Sequence, residues 1–358
     1  MCPKSWHLLD HILIQRKVEK SLMPSAIAKT VRIVRFHELG GAEVLKLDEL
    51  PLPEPAGGEV RLRVKAIGLN RAEVLFRQGR YLVQPKLPSK LGYEASGTVE
   101  AIGPGVDKDW LGKTVSTVPA FAVDTYGVYG EVAIVPAFAL AEYPAKLSYE
   151  EGTSIWMQYL TAYGALNLHA KISHGDFVII TAASSSVGIA AIEIARAEGA
   201  ISIATTRTSQ KKAELLALGA DHVIATEEED IVARVKDITG GKGARIIFDP
   251  IAGKGVEVLA ECAGMGGIII LYGLLSGEPT PFPFRAAMSK CLSVRGYTLF
   301  EVVSNPAAFV DGKKYVYSHL AAGDFKPRID KTFPLEQIVE AQRYMESNLQ
   351  IGKIVVTV

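Results

Sequence analysis

The sequence predicts an α/β protein with two domains, a β-rich domain followed by a doubly wound parallel sheet with helices on both faces. The chain of 358 residues is longer than one hydrophobic core usually serves. Short strand patterns separated by proline and glycine fill the chain to about residue 150. After that point strand and helix patterns alternate, as is typical of the βα units that build a parallel sheet.

The composition is that of an ordinary globular protein and argues against several classes of function. Hydrophobic residues make up 48% of the chain, and 39 basic residues balance 39 acidic residues. Without a basic excess we expect no nucleic-acid partner and no anionic membrane partner. No apolar run reaches the roughly 18 residues that a membrane span requires. The three cysteines, Cys2, Cys262 and Cys291, show no paired spacing, which favours a reducing cytoplasm.

Residues 1–28 differ from the rest of the chain because they show no clear alternation of polar and apolar residues. Four basic and two acidic residues leave the segment at +2, and Asp10 and His11 interrupt its apolar stretch. This pattern argues against a secretory signal. We expect a disordered N-terminal extension, with an upstream misplaced start before Met23 as one origin for it.

The β-rich domain is predicted from strands in which β-branched and apolar residues alternate or run together. These strands lie at residues 31–36, 59–67, 97–102, 114–118 and 130–136. Pro51, Pro53 and Pro55, followed by Gly57 and Gly58, mark the turns between them.

The parallel sheet is predicted from the alternation that starts near Tyr149. The predicted strands are residues 177–183, 201–205, 222–225, 245–248 and 267–272. The predicted helices between them are residues 187–198, 210–218, 230–238 and 255–262. A helix at residues 335–346 and a final strand at 353–358 follow, and we expect that strand to rejoin the β-rich domain.

The most informative local motif is the run Phe-Val-Ile-Ile-Thr-Ala-Ala-Ser-Ser-Ser-Val-Gly at residues 177–188, in which a strand leads through small residues into a helix. Backbone N–H groups and the helix dipole at such a helix start favour an anion, here the pyrophosphate of a dinucleotide. Because serines stand at two positions where Gly-x-Gly-x-x-Gly has glycines, an ordinary turn with serine caps stays an alternative. The predicted pyrophosphate-binding residues are Ser184, Ser185, Ser186, Val187 and Gly188.

The end of the next strand predicts which dinucleotide is bound. An NAD site usually has an acidic residue there that accepts hydrogen bonds from the ribose, whereas this strand ends in Thr206 and Arg207. Arg207 and Lys211 can bind a 2′-phosphate through charge-assisted hydrogen bonds, so we predict NADPH as the cofactor. For Lys211 and its neighbour Lys212, a solvated surface role stays open.

These motifs resemble those of the medium-chain dehydrogenase/reductase superfamily, within it the zinc-free quinone oxidoreductase and zeta-crystallin branch. The resemblance covers about residues 29–358 and implies a GroES-like catalytic domain at 29–150 and 323–358, a Rossmann NADP-binding domain at 151–322, a cleft between them and a homodimer. The segments that carry it are His37-Glu-Leu-Gly-Gly-Ala-Glu-Val-Leu45, Ala66-Ile-Gly-Leu-Asn70, Gly92-Tyr-Glu-Ala-Ser-Gly97, Leu160-Thr-Ala-Tyr163, the loop at 182–188 and Gly352-Lys-Ile-Val-Val356.

The resemblance also implies chemistry without zinc. Asn70 stands where zinc alcohol dehydrogenases of the superfamily have a cysteine ligand, and Tyr93 stands where they have a histidine ligand. The seven histidines of the chain form no convincing cluster, so we expect no metal. Such a site suits acceptors whose reduction gives a delocalised oxyanion, namely quinones and α,β-unsaturated carbonyls.

The resemblance implies that Asn70 and Tyr81 are the catalytic hydrogen-bond donors. Asn70 occupies the metal-ligand position that faces the nicotinamide in the family, and Tyr81 lies where the similar enoyl-thioester reductases have a proton-donating tyrosine. By the same resemblance Thr161 contacts the nicotinamide, while Tyr272 and Gly273 lie at the carboxyl edge of the sheet, where cofactors bind. The charged residues around 70–87 indicate an exposed loop with little core packing.

Other roles stay open for these residues. Asn70 could be a turn residue, Tyr81 could be a packed loop aromatic, and Tyr93 could line the pocket or pack. The alternative functions are an enoyl-thioester reductase and a non-catalytic NADPH-binding protein.

Overall fold

The computed structural model describes residues 29–358, so the extension expected at residues 1–28 lies outside the described residues. The strands are β1 Thr30–Phe36, β2 Leu45–Pro51, β3 Glu59–Gly68, β4 Ser89–Lys90, β5 Glu94–Ile102, β6 Thr114–Thr117, β7 Val132–Pro136, β8 Leu140–Ala141, β9 Phe177–Ile180, β10 Ile201–Thr206, β11 His222–Ala225, β12 Ala244–Asp249, β13 Ala263–Leu271, β14 Ser293–Gly296, β15 Ile329–Pro334 and β16 Lys353–Thr357. The helices are α1 Arg71–Arg77, α2 Val123–Tyr126, α3 Tyr149–Gly152, α4 Trp156–Tyr163, α5 Ser186–Ala197, α6 Lys212–Ala217, α7 Ile231–Ile238, α8 Gly255–Cys262, α9 Phe284–Lys290, α10 Phe300–Val303, α11 Pro306–Ala322 and α12 Ile338–Glu346.

The β-rich part is built on a seven-stranded sheet in the order β15-β16-β3-β5-β6-β8, with β7 pairing to β3. A second sheet, β2-β1-β4, packs beside it. The last strand, β16, pairs antiparallel with β3 through Val355 and Gly68. The expectation that the final strand rejoins the β-rich domain is therefore confirmed, and the division at about residues 150 and 323 stays a prediction.

The Rossmann part is a six-stranded sheet in the order β11-β10-β9-β12-β13-β14, and every neighbouring pair is parallel. Its central strands are buried on both faces, as Ile179, Ile180, Ile246 and Ile247 show. In chain order this is 3-2-1-4-5-6, so the order reverses between β9 and β12. In open parallel sheets ligands bind at the carboxyl ends of the strands next to such a reversal. The predicted fold class is confirmed.

The sequence patterns did not predict α11, the longest helix of the described chain. Only Gly312, Val316 and Leu320 on it are buried, so its apolar stripe is too thin for the periodicity to show. The residues that begin and end this helix are, however, typical of helix termini. Asn305 accepts hydrogen bonds from the first turn, proline follows at the first helical position, and Gly323 ends the helix with φ 86°.

Gly188 sets how closely α5 approaches β9. A Cβ atom at this position would lie 2.6 Å from the Cα atom and from the carbonyl oxygen of Ala183. Because both are backbone atoms, no rotation of a side chain could relieve the contact. The close contact predicted for Gly188 is therefore present, but it is made with the turn after β9 and not with the strand itself.

We predict that Gly188→Ala lowers the melting temperature by several degrees, because overpacking against backbone costs about 1–3 kcal/mol. Gly255→Ala is the matched control, since a Cβ atom there would meet nothing within 4 Å. Thermal unfolding of the two variants tests this prediction. Equal melting temperatures for both would contradict it.

Candidate active site

Asn70 lies between the end of β3 and the start of α1, with only 8% of its surface exposed. Its Oδ1 accepts a hydrogen bond of 2.7 Å from the Nζ of Lys353. Its Nδ2 donates to the carbonyl of Gly68 and to the Oε2 of Glu94, both at 3.2 Å. Because an ammonium can only donate, Lys353 fixes the orientation of the amide. The oxygen of Asn70 is held tightly, whereas its nitrogen is held by longer bonds.

Lys353 and Glu94 form a buried ion pair directly behind Asn70. Each side chain is 1% exposed, and Nζ contacts Oε2. The other oxygen of Glu94 accepts a hydrogen bond of 2.8 Å from the backbone N–H of Met157, next to the start of α4. Burying two charges is costly unless their remaining polar atoms are satisfied, and here they are. The pair thereby joins β16, β5 and α4 around Asn70.

Glu73 is a second buried carboxylate in the same cluster. Its oxygens accept hydrogen bonds from the backbone N–H groups of Asn70 at 2.8 Å and Tyr93 at 2.9 Å, and from the hydroxyl of Tyr129. Burial raises the pKa of Glu73 to about 7, although these donors favour the charged form. Glu73 thus holds the backbone on both sides of the cluster in place.

Tyr81 is half-buried and packs against the core of the β-rich part. Burial raises the pKa of its hydroxyl, and a hydrogen bond with the Tyr93 hydroxyl acts in the opposite direction. Burial and the neighbouring Tyr81 also raise the pKa of Tyr93, whose ring packs near Phe121 and Phe300. If Tyr93 donates to Tyr81, the proton of Tyr81 stays free to donate elsewhere.

The expectation of an exposed loop around residues 70–87 is wrong for its first half. Residues 71–77 form α1, and Glu73 and Arg77 are fully buried. Arg77 donates to the carbonyl of Gly40 at 2.6 Å and to Glu346 at 2.5 Å. These charged side chains find partners on other elements, so they do not mark a solvated surface. Only the tip is open, with Leu82 65% exposed.

The predicted pyrophosphate loop has the expected strand–turn–helix form. Ala182 leaves the strand with φ 46°, so β9 ends earlier than predicted. Ser185 has φ −71° and caps α5 by accepting a hydrogen bond of 3.0 Å from the N–H of Gly188. The helix begins at Ser186, so the N–H groups of Ser186 and Val187 precede the first intrahelical bond and point out of its positive end.

Tyr272 and Gly273 follow β13 directly, at the carboxyl edge of the sheet. The Tyr272 ring stacks on Phe248 at 4.0 Å, and its hydroxyl lies near Ser185. Within residues 29–358 this buried hydroxyl has no hydrogen-bond partner. A Cβ atom at Gly273 would lie 2.6 Å from the carbonyl of Pro250, so the backbone passes here as only glycine allows. An unsatisfied buried hydroxyl beside a phosphate loop fits a bound ligand.

The basic residues after β10 behave differently from one another. Arg207 is exposed just beyond Thr206, the last residue of the strand. Lys211 donates to the Oγ of Ser184 at 3.2 Å and to the carbonyls of Asn348 and Gln350 at 3.0 and 2.9 Å. Lys212 forms an ion pair with Glu229 at 2.7 Å. Arg207 and Lys211 therefore stay candidates for a phosphate, whereas Lys212 is already paired.

A cavity of about 260 Å³ lies where α1 faces the loop after β13. None of the predicted site residues lines this cavity, although Arg71 and Leu274 follow Asn70 and Gly273 directly in the chain. Thr161 lies on α4, 7% exposed, and its hydroxyl donates to the carbonyl of Met157. The lining residues are Arg71, Val74, Leu75, Gln78, Arg80, Leu274, Leu275, Ser276, Gly277, Glu346 and Asn348.

Two further findings concern metals and membranes. Residues 29–358 contain no group of three or more histidine, cysteine, aspartate or glutamate side chains placed to hold a metal ion. Over the same residues, no helix has both the length and the apolar character needed to cross a bilayer.

Comparison with known proteins places this geometry in a family. Residues 56–145 match the alcohol dehydrogenase GroES-like domain, and residues 186–310 match the zinc-binding dehydrogenase family. Quinone oxidoreductase 1 of Escherichia coli is 32% identical over 89% of this chain and 97% of its own length. A 2-haloacrylate reductase of a Burkholderia species is 31% identical, over 89% and 97%.

The structure of the E. coli quinone oxidoreductase complexed with NADPH is also similar. It superimposes with a TM-score of 0.85 at 31% identity, covering 91% of this chain and all of the other. The chain belongs to the quinone oxidoreductase family of the medium-chain dehydrogenases/reductases, a family of enzymes.

Sequence reasoning missed the charged residues behind Asn70. Glu94 and Lys353 both lie in segments that carry the family resemblance, yet no role was predicted for either. One feature of the sequence could have pointed to them. Glu94 and Lys353 each stand directly beside an apolar strand segment, and a charged residue that is buried there needs a partner of opposite charge. The pairing itself joins residues far apart in the chain, and no local pattern encodes it.

We predict that Lys353→Met costs about 3–5 kcal/mol of stability, because it leaves the buried Glu94 carboxylate unpaired. Adding Glu94→Gln removes that charge and should recover most of the loss. Denaturant unfolding of the single and double variants measures both effects. A loss below about 1 kcal/mol for Lys353→Met alone would show that the pair does not hold the cluster together.

Proposed function

We propose that this protein is an NADPH-dependent oxidoreductase that delivers hydride to a quinone or an α,β-unsaturated carbonyl without zinc. One observation carries the proposal. At the two positions where the superfamily's zinc enzymes have thiolate and imidazole ligands, this chain has the amide of Asn70 and the phenol of Tyr93. Hydrogen bonds tie these two residues to Lys353, Glu94, Glu73 and Tyr81. Amides and phenols are poor zinc ligands but good hydrogen-bonding groups.

The residues at the carboxyl edge of the Rossmann sheet support NADPH as the cofactor. When bound, NADPH supplies the hydride. The N–H groups of Ser186 and Val187 would bind its pyrophosphate, and the hydroxyl of Tyr272, which has no partner within residues 29–358, offers a donor beside that loop. Gly273 follows Tyr272 at the same edge of the sheet and is assigned to the cofactor with it. Arg207 and Lys211 would bind the 2′-phosphate. The NADPH complex of the E. coli relative supports the same assignment.

The acceptor class follows from the donors that the site offers. Hydride addition to a quinone or to the β carbon of an enone leaves negative charge on oxygen, which a positioned donor stabilises. We assign that donor to Tyr81, whose hydroxyl lies beside the hydroxyl of Tyr93 and whose pKa burial raises, so that it keeps its proton. The relatives' names, quinone oxidoreductase and 2-haloacrylate reductase, cover both kinds of acceptor.

Asn70 and Thr161 are assigned to the nicotinamide side of the cleft. The amide of Asn70 is anchored through its oxygen by Lys353, and its nitrogen makes bonds of 3.2 Å to Gly68 and Glu94. We propose that this nitrogen exchanges one of those long bonds for the acceptor oxygen. The hydroxyl of Thr161 lies one helical turn beyond Met157, whose N–H binds Glu94, so it belongs to the same cluster.

We also propose a homodimer that works in the cytoplasm. The strand β14 is the last of its sheet, and its outer edge has no partner strand within the described chain. Large apolar side chains are exposed near it, with Met265 71%, Phe284 65% and Met288 67% exposed. An uncovered edge with apolar neighbours favours pairing with a second copy. A monomeric mass measured by light scattering would exclude the homodimer.

The assignment to the cytoplasm rests on the scarcity of cysteine in the chain.

A direct comparison of acceptors tests the proposed reaction. A quinone, a simple enone and an enoyl thioester are offered with NADPH in the presence and absence of a chelator. We expect turnover of the quinone or the enone that the chelator does not change. Preference for the enoyl thioester would favour the alternative reductase, and tight NADPH binding without any turnover would favour a non-catalytic protein. Stoichiometric zinc together with loss of activity to the chelator would refute metal independence.

Cofactor preference gives a sharper prediction. We expect the wild type to use NADPH with a kcat/KM at least about tenfold above that for NADH, because Arg207 adds a charge-assisted bond to the 2′-phosphate. Arg207→Ala should lower kcat/KM for NADPH and leave that for NADH unchanged. Steady-state kinetics with both cofactors measures this. Equal kcat/KM values for NADPH and NADH in the wild type would contradict the assignment of NADPH as the preferred cofactor.

We predict that Tyr81→Phe lowers kcat on the best acceptor by about 10²-fold or more, because it removes the donor to the developing oxyanion. The melting temperature should change little, since only one hydrogen bond, to Tyr93, is lost. Tyr149→Phe is the control, because its hydroxyl lies beside Thr98 in the middle of β5 and contacts neither Asn70 nor Glu73. If Tyr81→Phe keeps nearly the full kcat, the hydroxyl of Tyr81 is not the donor, and Tyr81 is a packed loop aromatic.

A further inference from the structure

Arg71 of the β-rich domain and Lys211 of the Rossmann domain both donate hydrogen bonds to Asn348. The Nη2 of Arg71, at the start of α1, donates to the carbonyl of Met345 at 2.7 Å and to the side-chain oxygen of Asn348. The Nζ of Lys211, in the loop after β10, donates to the backbone carbonyl of Asn348 at 3.0 Å. Asn348 itself has φ 59°, in the left-handed region. The guanidinium and the ammonium therefore lie on either side of one residue.

The positive charge gathered here has no carboxylate in contact with it. Across residues 29–358, neither Arg71, Arg207 nor Lys211 forms an ion pair. The acidic groups in the surroundings have other partners. Glu346 binds Arg77 at 2.5 Å, Glu214 binds Arg328 at 2.9 Å, and Asp330 accepts from Tyr344 and from the N–H of Ile351.

Burial makes this arrangement costly without a counter-ion. Arg71 is half-buried, and burial lowers its pKa. Lys211 is also half-buried, and burial and the nearby Arg207 lower its pKa. Cations that are partly removed from water and bound only to neutral oxygens are stabilised when an anion reaches them. The cluster has the composition of an anion site.

The cluster also lies where the ribose of a dinucleotide is expected. Arg207 follows the last residue of β10, the position whose side chain contacts the 2′ substituent in Rossmann domains. Lys211 contacts Ser184 of the pyrophosphate loop at 3.2 Å. Arg71 comes from the other side of the cleft and lines the 260 Å³ cavity together with Asn348.

We propose that Arg71 is a third ligand of the 2′-phosphate of NADPH, supplied by the β-rich domain. Its planar guanidinium exchanges the Asn348 side chain for two phosphate oxygens, a geometry that arginine binds in bidentate fashion. Selection of NADPH over NADH then depends on both domains, because only the phosphorylated cofactor bridges Arg71 to Arg207 and Lys211. This inference rests on the proposed NADPH cofactor and adds a residue that the position after β10 does not predict.

The test uses binding of 2′,5′-ADP and of 5′-ADP to the full-length protein by calorimetry, so that no acceptor or turnover is involved. We expect Arg71→Gln to weaken 2′,5′-ADP binding at least about tenfold, as for loss of a charged hydrogen bond, and to change 5′-ADP binding less than about twofold. Arg71→Lys should recover part of the affinity. Arg343→Gln is the control for net charge, because Arg343 is exposed on α12, close to Asn348 in the chain. Melting temperatures of all variants show that they are folded.

Two results would overturn the inference. One is unchanged 2′,5′-ADP affinity in Arg71→Gln, and the other is an equal loss for both nucleotides, which would place Arg71 on the pyrophosphate or the adenosine. If Arg207→Ala and Lys211→Ala still weaken 2′,5′-ADP selectively, NADPH as cofactor stands and only the role of Arg71 falls. If the wild type does not distinguish the two nucleotides, the NADPH assignment itself fails.

Discussion

The buried ion pair between Lys353 and Glu94 is the constraint on which the candidate active site depends. It joins the last strand of the chain to β5, and through the N–H of Met157 it reaches the start of α4. Asn70 is placed by this pair, since its amide oxygen binds the ammonium and its nitrogen faces the carboxylate. A buried charge pair tolerates little displacement, because each contact that is lost leaves part of the desolvation penalty of the two charges without compensation. The site is therefore rigid on its β-rich side, although it uses residues from distant parts of the chain.

In the function that we propose, hydrogen bonding takes the place of metal chemistry around that cluster. A zinc site stabilises an alkoxide by Lewis acidity, whereas Tyr81 and Asn70 offer neutral donors whose effect is largest for a delocalised oxyanion. The Rossmann side brings a helix N-terminus, an unsatisfied Tyr272 hydroxyl and a group of cations. A cavity of about 260 Å³ lies between residues that follow Asn70 and residues that follow Gly273 in the chain. We propose reduction of quinones or enones on this basis, because the alkoxides of simple ketones need stronger stabilisation.

The sequence predicted what local patterns encode and missed what long-range contacts decide. The parallel strands, α5, Ser185 as a cap and Gly188 as a packing position were all readable, because each depends on a few neighbouring residues. The burial of Glu73 and Arg77 was not, since their partners Tyr129 and Glu346 lie far along the chain. Charged residues on α1 were therefore interpreted as an exposed loop. The ion pair between Lys353 and Glu94 was not predicted for the same reason. Lys211 was predicted to bind a phosphate, with a solvated surface role left open, and its bonds to residues 348–350 became visible only in the folded chain.

The central claim is that hydride reaches a carbon of an activated alkene while oxygen is stabilised by protein donors. The fate of deuterium tests it most directly. With NADPH deuterated at C4 and a simple enone as acceptor, nuclear magnetic resonance of the product locates the transferred atom. The account predicts deuterium on the β carbon, a hydrogen from solvent on the α carbon and an intact carbonyl. Deuterium on the carbonyl carbon of an allylic alcohol would show carbonyl reduction instead, and would contradict the account.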